Sequence, residues 1–256
     1  MLTFYHSFQQ FAQAGIGSVL EKQVTRMSWH AVGVGTLALI VLIIIASFTR
    51  ERYPKLNKPL YIMILISVIV PTLTLVGSTI YLNSQSYQGG PVHWHADFEI
   101  WKCGEEIELI DPKGLSNKIG TNVLHEHSDK RIHLEGVVLE SNDASLGKFF
   151  KVIGGSLFNS RLIVPIENGV AVLENGACEN QPESQLQIFV YKTDDKGYYK
   201  QEKLINPQAY IISPYGSVPR GDCVIAELDV YKDRTDKMCQ SYQAAIQAGK
   251  LKGERE

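Results

Sequence analysis

The chain contains no block of like charge. Its 25 basic and 27 acidic side chains are interspersed and sum to -2, so there is no basic field for a nucleic-acid backbone and no charged tail. Nucleic acid is excluded as a partner on that ground. No GxSxG elbow presents a nucleophilic serine, and no glycine-rich loop cradles phosphate. There is no low-complexity segment and no internal repeat longer than an HxH doublet, and no cysteine precedes residue 103. Formal charge is also missing from two long stretches, AVGVGTLALIVLIIIASFT at 31–49 and LYIMILISVIVPTLTLVGSTIYL at 60–82. At 1.5 Å per residue each can cross a hydrocarbon core of about 30 Å. Two transmembrane helices are expected, and the membrane is the first partner.

The loop between them, TRERYPKLNKP, carries Arg50, Arg52, Lys55 and Lys58 against only Glu51. The other side of the hairpin has Lys22 and Arg26 before it and nothing basic after it until Lys102. The positive-inside rule therefore places loop 50–59 in the cytoplasm and both termini outside. Trp29, Tyr61 and Tyr81 fall near the expected interfaces, and Pro71 is expected to kink the second span. With no ionisable group beside Pro71, these helices read as an anchor and not as a transport pathway. Residues 1–29 space Phe4, Phe8, Phe11, Ile16, Val19, Leu20, Val24 and Met27 mostly three or four apart, the pattern of an amphipathic helix. Such a helix lies on the membrane or on the spans, or contacts a protein partner.

After a small, polar linker at 83–91, residues 92–256 read as an α+β domain, β-rich with one inserted helix and one C-terminal helix. A hairpin is expected from strands 94–102 and 106–110 about a turn at Cys103 and Gly104, then a loop at 111–121 and a strand at 131–139. Ser145 is placed to cap a helix through LGKFFKVI, stopped by Gly154 and Gly155. Further strands are expected at 161–165, 169–174, 185–192 and 222–228. A closing helix is expected at 235–248, ending at Gly249. Residues 213–222, SPYGSVPRGD, read as a loop with Arg220 on the surface.

Of seven histidines, five fall between residues 91 and 135: His93, His95, His125, His127 and His133. Side chains two apart share one face of a strand. His93, His95, Asp97, Glu99 and Trp101 then line one face, and Trp94, Ala96, Phe98 and Ile100 the other. The same alternation sets His133 beside Glu135, with Ile132, Leu134 and Val138 on the core side. If the two strands are neighbours, these pairs and His125–His127 can converge on one point. The expected metal site comprises the five histidines, with Asp97, Glu99 and Glu135 as ligands or as groups that orient the imidazoles. Imidazole suits zinc, copper, iron and nickel, and carboxylates extend the choice to manganese; zinc or copper is the first expectation, iron or manganese the second. A pH-responsive cluster or a hydrogen-bonded network without metal would use the same residues.

Within this stretch, HWHADFE fits HxHxxxE and so resembles the first metal motif of the cupins. The glycine spacing before it differs and the second cupin motif is missing, so no cupin activity is carried over. The succession HWHADFEIW, a CGE hairpin, LHEH, RIHLE, SLGKFF, a central NG and GDCVI resembles an uncharacterised group of small, membrane-anchored extracytoplasmic domains. Their shared pattern is HWHADF, HxH, IHxE and LGxFF. The resemblance implies membership of a domain family and implies no activity. This chain departs from the pattern in its four cysteines and in a longer, loop-rich second half.

Cys103, Cys178, Cys223 and Cys239 are even in number and confined to the domain placed outside the cytoplasm, which argues for disulfides. Three connectivities are open; the expected one joins Cys103 to Cys178 and Cys223 to Cys239, fastening the final helix to the last strand. Thiolate ligation is disfavoured because no CxxC is present. The leading functional reading is a membrane-anchored protein that binds, stores or delivers a transition metal. The alternatives are a structural or interaction subunit of a membrane or envelope assembly, and a metal-dependent enzyme. In the last, Asp97, Glu99 or Glu135 would act as acid or base beside a metal-bound water. No residue pattern identifies a substrate.

Overall fold

The structure is a computed structural model that describes residues 16–115, 117–179, 181–213 and 221–254. The first half of the expected amphipathic N-terminal helix, to residue 15, lies outside the described residues, as does most of loop 213–222 with Arg220. The chain divides into two compact units, the first ending at Gly90 and the second starting at Pro91.

The first unit consists of α1 (Ile16–Thr49), a 3-10 turn at Pro54–Leu56 and α2 (Asn57–Ser84). Residues 29–31, where the sequence suggested a boundary, fall within unbroken helix. Both helices are long and apolar enough to cross a membrane, over Val19–Thr49 and Pro54–Ser84. They pack closely. The Ser28 hydroxyl donates to that of Ser78 at 2.8 Å, and a Cβ at Gly35 would stand 2.3 Å from Pro71 Cγ and 2.8 Å from the Ser67 carbonyl oxygen. Only glycine allows that approach, as at small-residue helix crossings in lipid. Val34, Leu37, Phe48, Leu73 and Ile80 point away from the contact and are exposed.

The second unit is built on a sheet with nine strands among the described residues. In chain order its strands are β1 (Pro91–Lys102), β2 (Glu105–Ile107), β3 (Ile119–Gly120), β4 (Leu124–Glu126), β5 (Arg131–Val137), β9 (Gln185–Thr193), β10 (Tyr198–Lys203), β11 (Asp222–Asp229) and β12 (Gly253–Glu254). In space the order is β12-β10-β9-β11-β1-β5-β4-β3, with β2 also on β1. The remaining three, β6 (Ser156–Leu157), β7 (Arg161–Ile166) and β8 (Gly169–Glu174), form a separate small sheet. β1 runs parallel to β11 and antiparallel to β5. β11, DCVIAELD, is buried along almost its whole length, as a strand covered on both faces should be.

One face of the large sheet supplies Trp94, Phe98, Ile132, Leu134 and Val224 to the main core, where Phe149 and Phe150 of helix α3 (Leu146–Val152) and Leu162, Val164 and Leu173 of the small sheet meet them. Ser145 caps α3, accepting from the Lys148 amide at 3.2 Å. On the opposite face, Phe189, Tyr191, Cys223 and Ile225 pack with Cys239, Tyr242 and Leu251, around helix α4 (Gln240–Gln247). Cys103 is bonded to Cys178 and Cys223 to Cys239. The second bridge ties the start of α4 to β11, and the helix begins at Gln240, not at 235, because residue 239 is held on the strand. The expected loop at 111–121 contains β3, β4 follows it, and β10 and β12 add to the other edge. Their polar, short sequences carry little alternation to signal them.

Among the described glycines, Gly221, next to β1, has the least room for a side chain. A Cβ at Gly221 would stand 1.5 Å from the His95 carbonyl oxygen. Gly221→Ala is therefore expected to part the two strands and to lower the unfolding free energy of the chain by about 1–3 kcal/mol or more. Phe149→Ala, which empties a fully buried position, is expected to cost about 3–5 kcal/mol. Denaturant titration followed by tryptophan fluorescence measures both.

Candidate metal centre

The second face of the sheet is covered by α4 only in part. On β1, β5 and β4 it bears histidine instead of an apolar side chain. Antiparallel pairing places His93 opposite Glu135 and His95 opposite His133, and the next strand sets His125 opposite His133. One row, His95–His133–His125, thus crosses three neighbouring strands, and the His93–Glu135 pair forms the row beside it. The alternation of β1 and β5 produces this directly, since Trp94, Ala96, Ile132 and Leu134 take the buried face.

The five imidazoles do not meet at a single point. They form two adjoining triads, His93–His95–Glu135 and His125–His127–His133, each with its ligand atoms within 4.8 Å of one another. In the first, His93 Nε2 lies 3.2 Å from His95 Nε2. Glu135 Oε1 lies 3.2 Å from His93 Nε2 and 3.6 Å from His95 Nε2. It also lies 3.6 Å from His133 Nδ1, so this carboxylate stands between the triads. In the second triad the His125 and His133 rings are nearly parallel at 5.4 Å, and His127 stands edge-on to both at 4.8 and 4.9 Å.

Surrounding groups fix which ring nitrogens are free. His127 Nδ1 donates to the Asn117 carbonyl, leaving Nε2 with its lone pair. His133 Nε2 donates to Asp129 Oδ2 at 3.0 Å, leaving Nδ1. A second hydrogen-bonded partner that sets the tautomer is the usual support of a metal-binding imidazole. His125 is only 3 % exposed, and its Nδ1 is buried without a hydrogen-bond partner among the described residues.

Glu126, between His125 and His127, faces the other way and is buried. Its Oε1 accepts from the Asp129 amide at 2.9 Å, while Oε2 is buried without a hydrogen-bond partner among the described residues. Ser128 and Lys130 adopt φ of 63° and 56°, conformations that non-glycine residues adopt only when something holds them. The Asp129 amide between them is the one the Glu126 carboxylate holds. Burial pushes the Glu126 carboxyl up against the pull of the Asp129 amide. The sequence carries no signal for Glu126, and the one signal for Asp129 is a carboxylate four residues before His133.

Asp97 and Glu99 belong to the same face of β1 but are not brought to the triads. Asp97 takes a two-pronged contact from Arg131, at 2.6 and 3.2 Å, and a hydrogen bond from Ser241 of α4. Glu99 accepts from Trp101 Nε1 at 3.1 Å and from the Gln240 amide at 2.9 Å. Both anchor α4 to the sheet. Of the expected ligand set, the structure gathers the five histidines and Glu135.

Burial, reinforced by His133, His93 and Arg131, holds the His95 imidazole below its ordinary value. Burial also lowers His125, with His127, His133 and Lys118 adding to it. Burial works to raise Glu135, but the pull of His93, His125, His133 and His95 outweighs it and holds the carboxyl below the usual range. Each of these shifts favours the form that a cation binds: neutral imidazole and ionised carboxylate. Comparison of the chain with family models, curated proteins and solved structures found no match in any of the three.

Two outcomes follow from these contacts. A histidine depressed in the folded state takes up its proton first in the unfolded chain, near pH 6.5. Stability from His95 and His125 is therefore complete above about pH 6.5 and is lost as pH falls toward their folded values. Denaturant midpoints of the chain, measured between pH 8 and 5 in the presence of a chelator, should fall across that window. Glu126→Ala removes a charge-assisted hydrogen bond of about 1.5–3 kcal/mol, so the Asp129 amide should exchange with deuterium roughly 10–100 times faster. Glu126→Gln, which keeps the acceptor oxygen, should show a smaller change.

Proposed function

We propose that this chain is a membrane-anchored, extracytoplasmic protein that binds and hands on a transition-metal ion, zinc or copper, through its histidine-bearing sheet face. One observation carries the reading: the donor atoms of His93, His95 and Glu135 are 3.2, 3.2 and 3.6 Å apart. A tetrahedral ion with bonds of about 2.0–2.1 Å needs its ligand atoms about 3.3 Å apart. Two imidazoles and a carboxylate suit zinc and copper better than the oxygen-rich preferences of manganese. The His93 side chain is 63 % exposed and that of Glu135 41 %. An ion held there remains reachable by a second set of ligands, which suits delivery more than permanent structural use.

The two disulfides support a domain on an oxidising side. The exposed apolar side chains of α1 and α2 support residence of the hairpin in lipid, since a soluble chain rarely leaves so much apolar surface bare. Charge then orients it: the four basic residues of loop 50–59 stay in the cytoplasm, with the domain outside.

Metal analysis of the purified full chain after exposure to zinc tests the binding. The double substitution His93→Ala and His95→Ala, at strand positions whose side chains leave the core, should lower metal content by one ion per chain. Equal content in parent and variant would remove the site proposed here. Orientation is tested separately: a single cysteine at position 55 in intact cells should resist a membrane-impermeant thiol reagent until the cells are opened.

A further inference from the structure

We infer that the histidine face holds two ions, with a second, more deeply seated one bound by His125, His127 and His133. This rests on the reading that the face binds metal, and it adds a separate site with its own ligands.

The number of donors is the first ground. Five imidazoles and Glu135 provide six donor groups, whereas a tetrahedral ion takes four. These six are divided between two triads on neighbouring strands, each compact enough for one ion. The second ground is preparation of the donor atoms. Hydrogen bonds to the Asn117 carbonyl and the Asp129 carboxylate leave His127 Nε2 and His133 Nδ1 as lone-pair donors. The third is His125. It is 3 % exposed, and Nδ1 is buried with no partner among the described residues. A buried nitrogen without a hydrogen bond is unfavourable unless something else takes its lone pair or proton, and a cation among three imidazoles does so. The His125 and His133 rings lie nearly parallel at 5.4 Å with His127 edge-on to both, and one ligand atom from each of the three lies within 4.8 Å of the others.

Glu135 makes the pair compatible. Its Oε1 is 3.2 Å from His93 Nε2 and 3.6 Å from His133 Nδ1. From there the carboxylate can bridge the two ions and offset the repulsion between them. The two sites differ in access. The His93 side chain is mostly exposed and His125 is almost fully buried, so the first ion exchanges readily and the second is retained.

The test uses the full chain in detergent micelles, loaded with zinc alone and freed of excess. Elemental analysis should give two zinc ions per chain. Release to a colorimetric chelator should be biphasic, one ion leaving at least ten-fold faster than the other. His127→Ala, at a half-buried position, should reduce the content to one and abolish the slow phase. Together, His93→Ala and His95→Ala should abolish the fast phase. His125→Asn serves as a second probe of the slow site, with near-ultraviolet circular dichroism of the metal-free variants to establish that each is folded. One zinc per chain in the parent would overturn the second site while leaving metal binding intact. No zinc would overturn both readings. Two ions whose release is unchanged in folded His127→Ala and His125→Asn would place the second ion elsewhere and so also overturn the inference.

Discussion

The alternation of side chains across the pleat of β1 is the constraint on which the domain depends. Because successive residues point to opposite faces, Trp94, Ala96, Phe98 and Ile100 are committed to the main core, and that commitment leaves His93, His95, Asp97 and Glu99 on the other face. A slip of one residue would bury the imidazoles and expose the tryptophan. The apolar half of the strand thus fixes the position of the polar half, and β5 repeats the arrangement with Ile132 and Leu134 against His133 and Glu135. Registration of the histidines and Glu135 is a by-product of core packing and needs no dedicated scaffold.

The other face is divided along its length between two uses. Toward β9 and β11 it receives α4, fastened by the Cys223–Cys239 bridge and by contacts of Ser241 and Gln240 with Asp97 and Glu99. Toward β5 and β4 it is left to histidine. The two acidic residues that looked like ligands mark the border between these regions. They stand where the sheet passes from helix-covered to open, and they serve the helix.

Much of this was legible in the sequence because period-two patterns are local. HWHADFEIW and RIHLE each declare a strand, an apolar face and a histidine face, and Ser145 with Gly154 brackets α3. What the sequence did not disclose depends on partners distant along the chain. LHEH looks like the end of a loop, and only pairing with β5 makes it a strand and sets His125 opposite His133. That pairing, with the turn held by Glu126, separates the histidines into two triads where the spacing alone suggested one centre. Asp97 could not be told from a ligand without knowing that Arg131 and Ser241 reach it. The late start of α4 likewise required knowing where Cys239 is bonded.

The parallel pairing of β1 with β11 has a consequence for the life of the polypeptide before it is folded. The register joins Ala96 to Asp222 and Lys102 to Leu228, so the strand carrying His93 and His95 acquires its second neighbour only after more than a hundred further residues have been made. Contacts of such long separation form slowly, because chain entropy must be lost before they repay it. During synthesis the two HxH motifs are present in the unfolded chain well before the sheet that spaces them exists. Ions captured at that stage would be held by whatever donors are close in sequence. The spacing of the two triads is therefore a property of the finished domain and not of either motif alone.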